Sequence, residues 1–278
     1  QLNLLHLASY LKSKDLTCKI YELGVFDKKD MIVEISRARF GLSDEGIKEI
    51  IKRENPKIIG VGCMYSMHYS DVVNIAKLIK ETNPAIIVVI GGNHATSLYE
   101  MVLKVSYFDY IVRGEGEITF YELCRNILAG KKSLSQIKGI AYRDNNIIIT
   151  TPDRELIKDL DDLPILDYSF IDVKKYVNSK PKSYYIRFPN IGIVSSRGCP
   201  AACIYCTVRA LLGRSWRGKS PKRVVDEIEF LKKNYGIEEF SFLDDSASIN
   251  KQRWNAICDE IIKRKIDIKW ATHNGIAH

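Results

Sequence analysis

No stretch of this chain stays apolar for anything near the roughly 18 residues that mark a membrane-spanning helix, so no span is expected. Residues 1–11 also lack the charged start and small-residue cleavage site of a secretory leader, which makes a cytoplasmic location the expectation. Low-complexity tracts and repeats of fixed period are missing, which leaves a globular reading. An even cysteine count, the mark of a disulfide framework, is absent, because there are seven. Nor is charge of one sign concentrated. The net charge of +8 is spread over helical faces and loops, as at Lys28-Lys29, Lys131-Lys132 and Lys232-Lys233. Nucleic-acid binders gather such charge into a patch or stripe, so nucleic acid is not an expected partner.

What is present suffices for one large domain or two of ordinary size, with 278 residues that are 46% hydrophobic and 27% charged. Helical spacing over 4–14, 43–52, 71–80 and 119–128 alternates with strand-like runs over 18–23, 58–62, 85–90 and 110–112. In 71–80, Val72, Ile75, Ala76 and Ile79 fall on one helical face, while 85–90 is uninterruptedly apolar. Continuously apolar strands between amphipathic helices predict a parallel sheet covered on both faces. Such sheets bind ligands beyond the carboxyl ends of their strands. Those ends read Cys63-Met64-Tyr65-Ser66, Gly91-Gly92-Asn93-His94-Ala95-Thr96 and Arg113-Gly114-Glu115-Gly116-Glu117. Glycine there lets backbone approach a bulky or phosphorylated ligand, and it is equally an ordinary way to turn toward the next helix.

From residue 139 the pattern becomes a predicted hairpin, 139–143 and 147–150 around Asp144-Asn145-Asn146. A stretch punctuated by Pro152, Pro164, Pro181 and Pro189 follows. The expected division is a first domain over 1–135, a hairpin and linker over 136–189, and a second domain over 190–278.

The second domain opens on a strand-like run, 191–195, followed by Ser196-Arg197-Gly198-Cys199-Pro200-Ala201-Ala202-Cys203-Ile204-Tyr205-Cys206. Three thiolates at this spacing can converge on one centre, and thiolates suit iron–sulfur clusters and zinc. A structural zinc site takes four ligands, and no nearby cysteine or histidine supplies the fourth. Cys258 lies in the apolar stripe Trp254, Ile257, Ile261 and Ile262 and is expected in the core. On a cubane cluster, an iron without a protein ligand can be held by a substrate or cofactor. Downstream, Ser220-Pro221 marks a helix start with Val224, Val225, Ile228 and Leu231 as its buried stripe. A strand over 239–243, a helix over 253–265 and a strand over 268–271 complete a βα pattern.

With Tyr205 before the third cysteine, this run resembles the radical SAM signature. Ser196-Arg197-Gly198-Cys199-Pro200, the two glycine loops after 90 and 112, and Leu160-Asp161-Asp162-Leu163-Pro164 extend the likeness over almost the whole chain, to radical SAM proteins with an N-terminal cobalamin (B12)-binding domain. The fold this resemblance implies is α/β: a Rossmann-like parallel-sheet cobalamin-binding domain, then a partial βα TIM-type radical SAM barrel. Such a barrel has about six βα units. The chain supplies two and the start of a third, which reads as an incomplete fragment.

The activity implied is reductive cleavage of S-adenosylmethionine at a [4Fe-4S] cluster to a 5'-deoxyadenosyl radical. It would serve C-methylation, cyclisation or rearrangement of a small-molecule substrate, with an external one-electron donor such as flavodoxin or ferredoxin. Residue by residue, the resemblance makes Cys199, Cys203 and Cys206 the cluster ligands and sets Tyr205 beside the adenine of S-adenosylmethionine. Asp244 or Asp245 would accept a hydrogen bond from its methionyl ammonium, or else cap the following helix. Ser66, Gly91, Gly92, His94, Gly114 and Glu115 would line cobalamin, with Asn93 standing where the family commonly has proline. Two other classes compete. A methylthiotransferase needs a second cluster, and Cys18, Cys63 and Cys124 are not expected to meet. A cobalamin- or nucleotide-binding module with a structural metal site would do no radical chemistry.

Overall fold

Apolar runs flanked by amphipathic helices become central strands here because both of their faces find cover. The computed structural model describes residues 2–24, 31–33, 38–131, 133–145, 147–177 and 186–276. The chain divides into two units, Tyr10–Leu156 and Ile157–His278, the second also taking Leu2–Ser9 from the first helix, α1 (Leu2–Ser13).

In the first unit a two-stranded ribbon, β1 (Met31–Val33) with β2 (Ala38–Phe40), precedes α2 (Asp44–Glu54). Then come β3 (Ile58–Gly62), α3 (Tyr69–Thr82), β4 (Ile87–Gly91), α4 (Asn93–Ser97), α5 (Tyr99–Leu103), β5 (Tyr110–Val112) and α6 (Gly116–Leu128). The hairpin β6 (Ile140–Asp144) and β7 (Ile147–Thr150) closes the unit. The sheet order is β3-β4-β5-β6-β7, parallel through β5 and antiparallel beyond it. Val88 and Ile90 bury into a core with Ile47, Ile51, Val72 and Ile79 from α2 and α3, whereas Val89 joins Val112, Leu123 and Ile140 on the opposite face. Ser43 starts α2 by accepting from Gly46 N at 3.2 Å, and Asn55 ends it in the left-handed conformation at φ 41°.

Two expectations change. Residues 18–23 join no ladder among the described residues. Side chains hold this segment to α2 instead: Tyr21 Oη donates to Glu54 Oε1 at 2.7 Å and Lys19 Nζ to Glu54 Oε2 at 2.5 Å. The hairpin, assigned by sequence to a linker, extends the sheet. It pairs with the short strand β5, which would otherwise present an open edge. Arg143 fastens it by donating to the carbonyls of Leu103, at the end of α5, and of Val105, Ser106 and Phe108 beyond it. The division between units therefore falls after Leu156 rather than at 135.

The second unit runs through α7 (Val173–Val177), β8 (Asn190–Ile193), β9 (Ser196–Arg197), α8 (Val208–Leu212), β10 (Arg217–Gly218), α9 (Pro221–Tyr235), β11 (Glu239–Phe242), α10 (Lys251–Lys263) and β12 (Lys269–Thr272). β12, β11 and β8 form a parallel sheet with β11 in the middle, and β9 pairs antiparallel with β10. Ser220 caps α9 through Arg223 N, Pro221 opens it, and Gly236 closes it at φ 68°. Val224, Val225, Ile228 and Leu231 are buried as their spacing requires, with Trp254, Ile257 and Ile261 of α10. Ile262 departs from the expected stripe and is exposed, and Cys258 is half-buried. Three parallel strands and their helices are the extent of the βα pattern among the described residues. No helix among them is long and apolar enough to cross a membrane.

Candidate functional site

Three loops meet at the carboxyl ends of β3, β4 and β5, and main-chain groups tie them together. Cys63 N donates to Gly91 O at 2.8 Å, and His94 N returns a bond to Cys63 O at 3.1 Å. Gly114 N donates to Thr96 Oγ1 at 3.1 Å. Ser66 Oγ lies 2.8 Å from His94 Nδ1. Ser66, Gly91, Gly92, His94 and Gly114 are thus brought together, and Glu115 follows as the residue before α6. The glycines have distinct reasons. Gly92 sits at φ 100°, and a Cβ there would lie 2.6 Å from Cys63 O, so backbone packs against backbone. Gly114, at φ 72°, faces open space, since a Cβ would meet nothing within 4 Å.

His94 is 5% exposed and lies against the Tyr69 ring at 4.4 Å between centroids. Burial holds its pKa below the ordinary histidine value, which favours the neutral imidazole. Its Nε2 is buried without a hydrogen-bond partner, as is Tyr69 Oη. Tyr65, Met67 and Leu98 expose apolar surface from the same loops. A cobalamin fits this edge: glycine backbone open to approach, a buried polar atom awaiting a partner, and apolar side chains at the rim. Sequence reasoning passed over Cys63, Thr96 and Tyr69, although the first two stood in the loops it singled out.

The cysteines occupy a loop that leaves the second unit at β9 and returns at β10. Cys199 is half-exposed, while Cys203 and Cys206 are exposed, and Cys206 N donates to Cys203 O at 3.2 Å. Ile204 and Tyr205 project fully into solvent, at 102% and 86% exposure. Among the described residues, no three His, Cys, Asp or Glu side chains stand close enough together to hold a metal ion. The expected convergence of Cys199, Cys203 and Cys206 is therefore not present, and Cys18, Cys63 and Cys124 form no such group either. The physical reason is that the stretch from Pro200 to Cys206 is exposed throughout, so no buried side chain there gathers the thiols, and ligation itself supplies the ordering energy of such loops. The donor set, three thiols on one accessible loop, suits an iron–sulfur cluster.

The two aspartates differ from each other in burial and partners. Asp244 is 2% exposed, and its carboxylate turns inward to accept from Ser195 N (2.7 Å), Ser195 Oγ (2.6 Å) and Ser196 Oγ (2.5 Å). Asp245 Oδ2 accepts from Gly198 N at 3.0 Å, and burial pushes its carboxyl upward from the ordinary value. Neither caps α10, because Asn250 Oδ1 takes Arg253 N at 2.9 Å. Sequence spacing located the pair at the strand end but gave no sign of its partners.

Burial separates the thiols chemically. It pushes Cys124 up to about 12, while Cys203 and Cys206 face solvent. Iodoacetamide at pH 8 should modify Cys203 and Cys206 in the iron-free chain at least about a hundredfold faster than Cys124, since the thiolate is the nucleophile. Peptide mapping by mass spectrometry reads this order, and comparable rates would contradict the burial of Cys124.

Residues 1–124 match the B12 binding domain family. The chain is 36% identical over 237 residues to an uncharacterized methyltransferase of Pyrococcus horikoshii, an overlap of 84% of this chain and 50% of that protein. It is 30% identical over 275 residues to the anaerobic magnesium-protoporphyrin IX monomethyl ester cyclase of Rubrivivax gelatinosus, covering 98% of this chain and 46% of the cyclase. The chain thus spans about half the length of the curated relatives it matches. Among solved structures it is similar to the radical S-adenosylmethionine methyltransferase TsrM of Kitasatospora setae with cobalamin and a [4Fe-4S] cluster bound. The TM-score is 0.72 at 16% identity, over 95% of this chain and 49% of that one, a likeness of fold. The strand-end loops tied together by Cys63, His94 and Thr96 therefore lie within the stretch that matches the B12 binding domain family, in a chain whose curated relatives are named as methyltransferases and cyclases.

Proposed function

We propose that this chain is a cobalamin-dependent radical SAM enzyme. In this reading the first unit holds cobalamin across Ser66, Gly91, Gly92, His94, Gly114 and Glu115, and the second holds a [4Fe-4S] cluster through Cys199, Cys203 and Cys206. The observation that carries it is the union of three strand-end loops by the Cys63–Gly91, Cys63–His94, Ser66–His94 and Gly114–Thr96 hydrogen bonds. A single prepared surface results, where open parallel sheets bind cofactors. The cluster, when bound, supplies the electron that splits the sulfonium of S-adenosylmethionine.

The chain's own residues position and exclude. Gly114 leaves room for close approach, and neutral His94 offers Nε2 to a polar group of the corrin periphery while Ser66 fixes its ring. Exposure of the cysteine loop admits an external one-electron donor such as flavodoxin or ferredoxin, and Tyr205 stands free to meet the adenine. The names of the relatives support methyl transfer or cyclisation on a small-molecule substrate.

Equilibrium dialysis against hydroxocobalamin tests the first half, with retention expected at micromolar ligand. Anaerobic reconstitution, followed by dithionite and S-adenosylmethionine, tests the second through 5'-deoxyadenosine formation. Iron uptake and cleavage without corrin retention would leave a cobalamin-free radical enzyme. Corrin retention without cleavage would leave a binding module with a structural metal site.

A further inference from the structure

The loop that carries the cysteines leaves and rejoins the second unit at one place, and that place is built from residues far along the chain. On the incoming side, Ser195 and Ser196 give three hydrogen bonds to the Asp244 carboxylate, across 49 and 48 residues of sequence. Gly198 N adds the bond to Asp245. On the outgoing side, Trp216 Nε1 donates to Ser246 O at 2.9 Å, and Arg217 and Gly218 pair with Arg197 and Ser196. Arg253 on α10 joins the two sides. Its Nε donates to Lys219 O at 2.6 Å, its Nη2 to Ser195 O at 2.7 Å, and its guanidinium lies 5.4 Å from the Trp216 ring centroid. Packing at this junction leaves no room for a side chain at either of its glycines. A Cβ on Gly198 would lie 2.3 Å from Ser215 O, and one on Gly218 would lie 2.6 Å from Arg253 Nε.

Beyond this junction the segment that carries the last two cysteines has little of its own to hold it, with Cys203, Ile204, Tyr205 and Cys206 all exposed. The hydrogen bonds that fix its position are those at its base. A buried carboxylate that accepts three short hydrogen bonds is a rigid anchor, because charge-assisted bonds are the strong ones and leaving them unmade is costly. We propose that Asp244, together with Asp245 and Arg253, is a positioning clasp that closes the two ends of the cysteine loop on each other and sets where Cys199, Cys203 and Cys206 stand when they hold iron. This role rests on the reading of those cysteines as cluster ligands. Three of the roughly four acceptor sites of the Asp244 carboxylate are committed to the loop.

Asp244→Asn is the discriminating change. The amide keeps the size of the carboxylate and an acceptor for Ser195 N, but it removes the charge that strengthens all three bonds and obliges the two serine hydroxyls to turn from donating to accepting. The reconstituted variant should still take up iron, release it to a chelator about tenfold faster than the parent, and show an altered EPR signal when reduced, as expected when residues behind the ligands are changed. In the iron-free chain, hydrogen exchange at Ser195 and Gly198 should quicken about tenfold while Val224 and Val225 of α9 keep their protection, the mark of local opening. Equal quickening at Val224 and Val225 would make Asp244 a fold residue only and overturn the role. Parental iron release and EPR signal in the variant would overturn it as well. A parent chain that takes up no iron under the same reconstitution would overturn the cluster reading and this role with it, so the two failures are told apart by the parent alone.

Discussion

Cys203→Ala is expected to take the iron content of the anaerobically reconstituted chain from about four per chain to below about one, with loss of the broad visible absorption of a cubane cluster. The size of the effect follows from the loop's composition. Residues 198–216 contain no Asp, Glu or His, so no neighbour in the loop can stand in for a missing thiolate. Cys199→Ala and Cys206→Ala should behave alike. Cys258→Ala should keep full iron, since that thiol is half-buried on α10 and burial pushes its pKa up. Iron and sulfide analysis with EPR of the reduced sample decides between them. Full iron in Cys203→Ala, or tight zinc without iron in the parent, would remove the cluster from the reading.

How far the sequence carried this picture depends on the range of the interaction. Local rules were legible. Ser43 and Ser220-Pro221 start their helices where their chemistry predicts, and Val88, Val89 and Ile90 bury alternately into two cores, which an uninterrupted apolar run implies. Partners distant in sequence were not legible. The run 18–23 has strand-like composition but joins no ladder among the described residues, and Glu54 takes Lys19 and Tyr21 instead. The hairpin was foreseen, yet its docking on β5 depends on Arg143 reaching four carbonyls about 35 to 40 residues back, for which periodicity has no signal. The same holds at the sites. Glycine loops and cysteine spacing are written locally, whereas the Ser66–His94 contact and the inward turn of Asp244 are made across 28 and 49 residues.

Gly92 and Gly114 differ in what they permit, and substituting each separates folding from ligand binding. Gly92→Ala should destabilise the first unit by about 2–4 kcal/mol, because its φ of 100° is strained for any other residue and its Cβ would press on Cys63 O at 2.6 Å. Cobalamin retention should be lost with it, since Cys63 O also holds His94 N. Gly114→Ala meets no atom of the chain within 4 Å, so its cost should be only the left-handed backbone, about 1–2 kcal/mol or a few degrees in Tm. A bulkier Gly114→Val adds to the backbone penalty, since a β-branched residue is strained at positive φ, and fills the open space in front of β5. If corrin lies there, affinity for hydroxocobalamin should fall by at least about tenfold in Gly114→Val while the unit stays folded at the assay temperature, the cost of a lost close contact. Far-ultraviolet circular dichroism melts and equilibrium dialysis, run on the same preparations, measure the two quantities independently. Parental affinity in Gly114→Val would place the ligand away from the loop after β5, and a Gly92→Ala chain that melts with the parent would refute the backbone contact between Gly92 and Cys63.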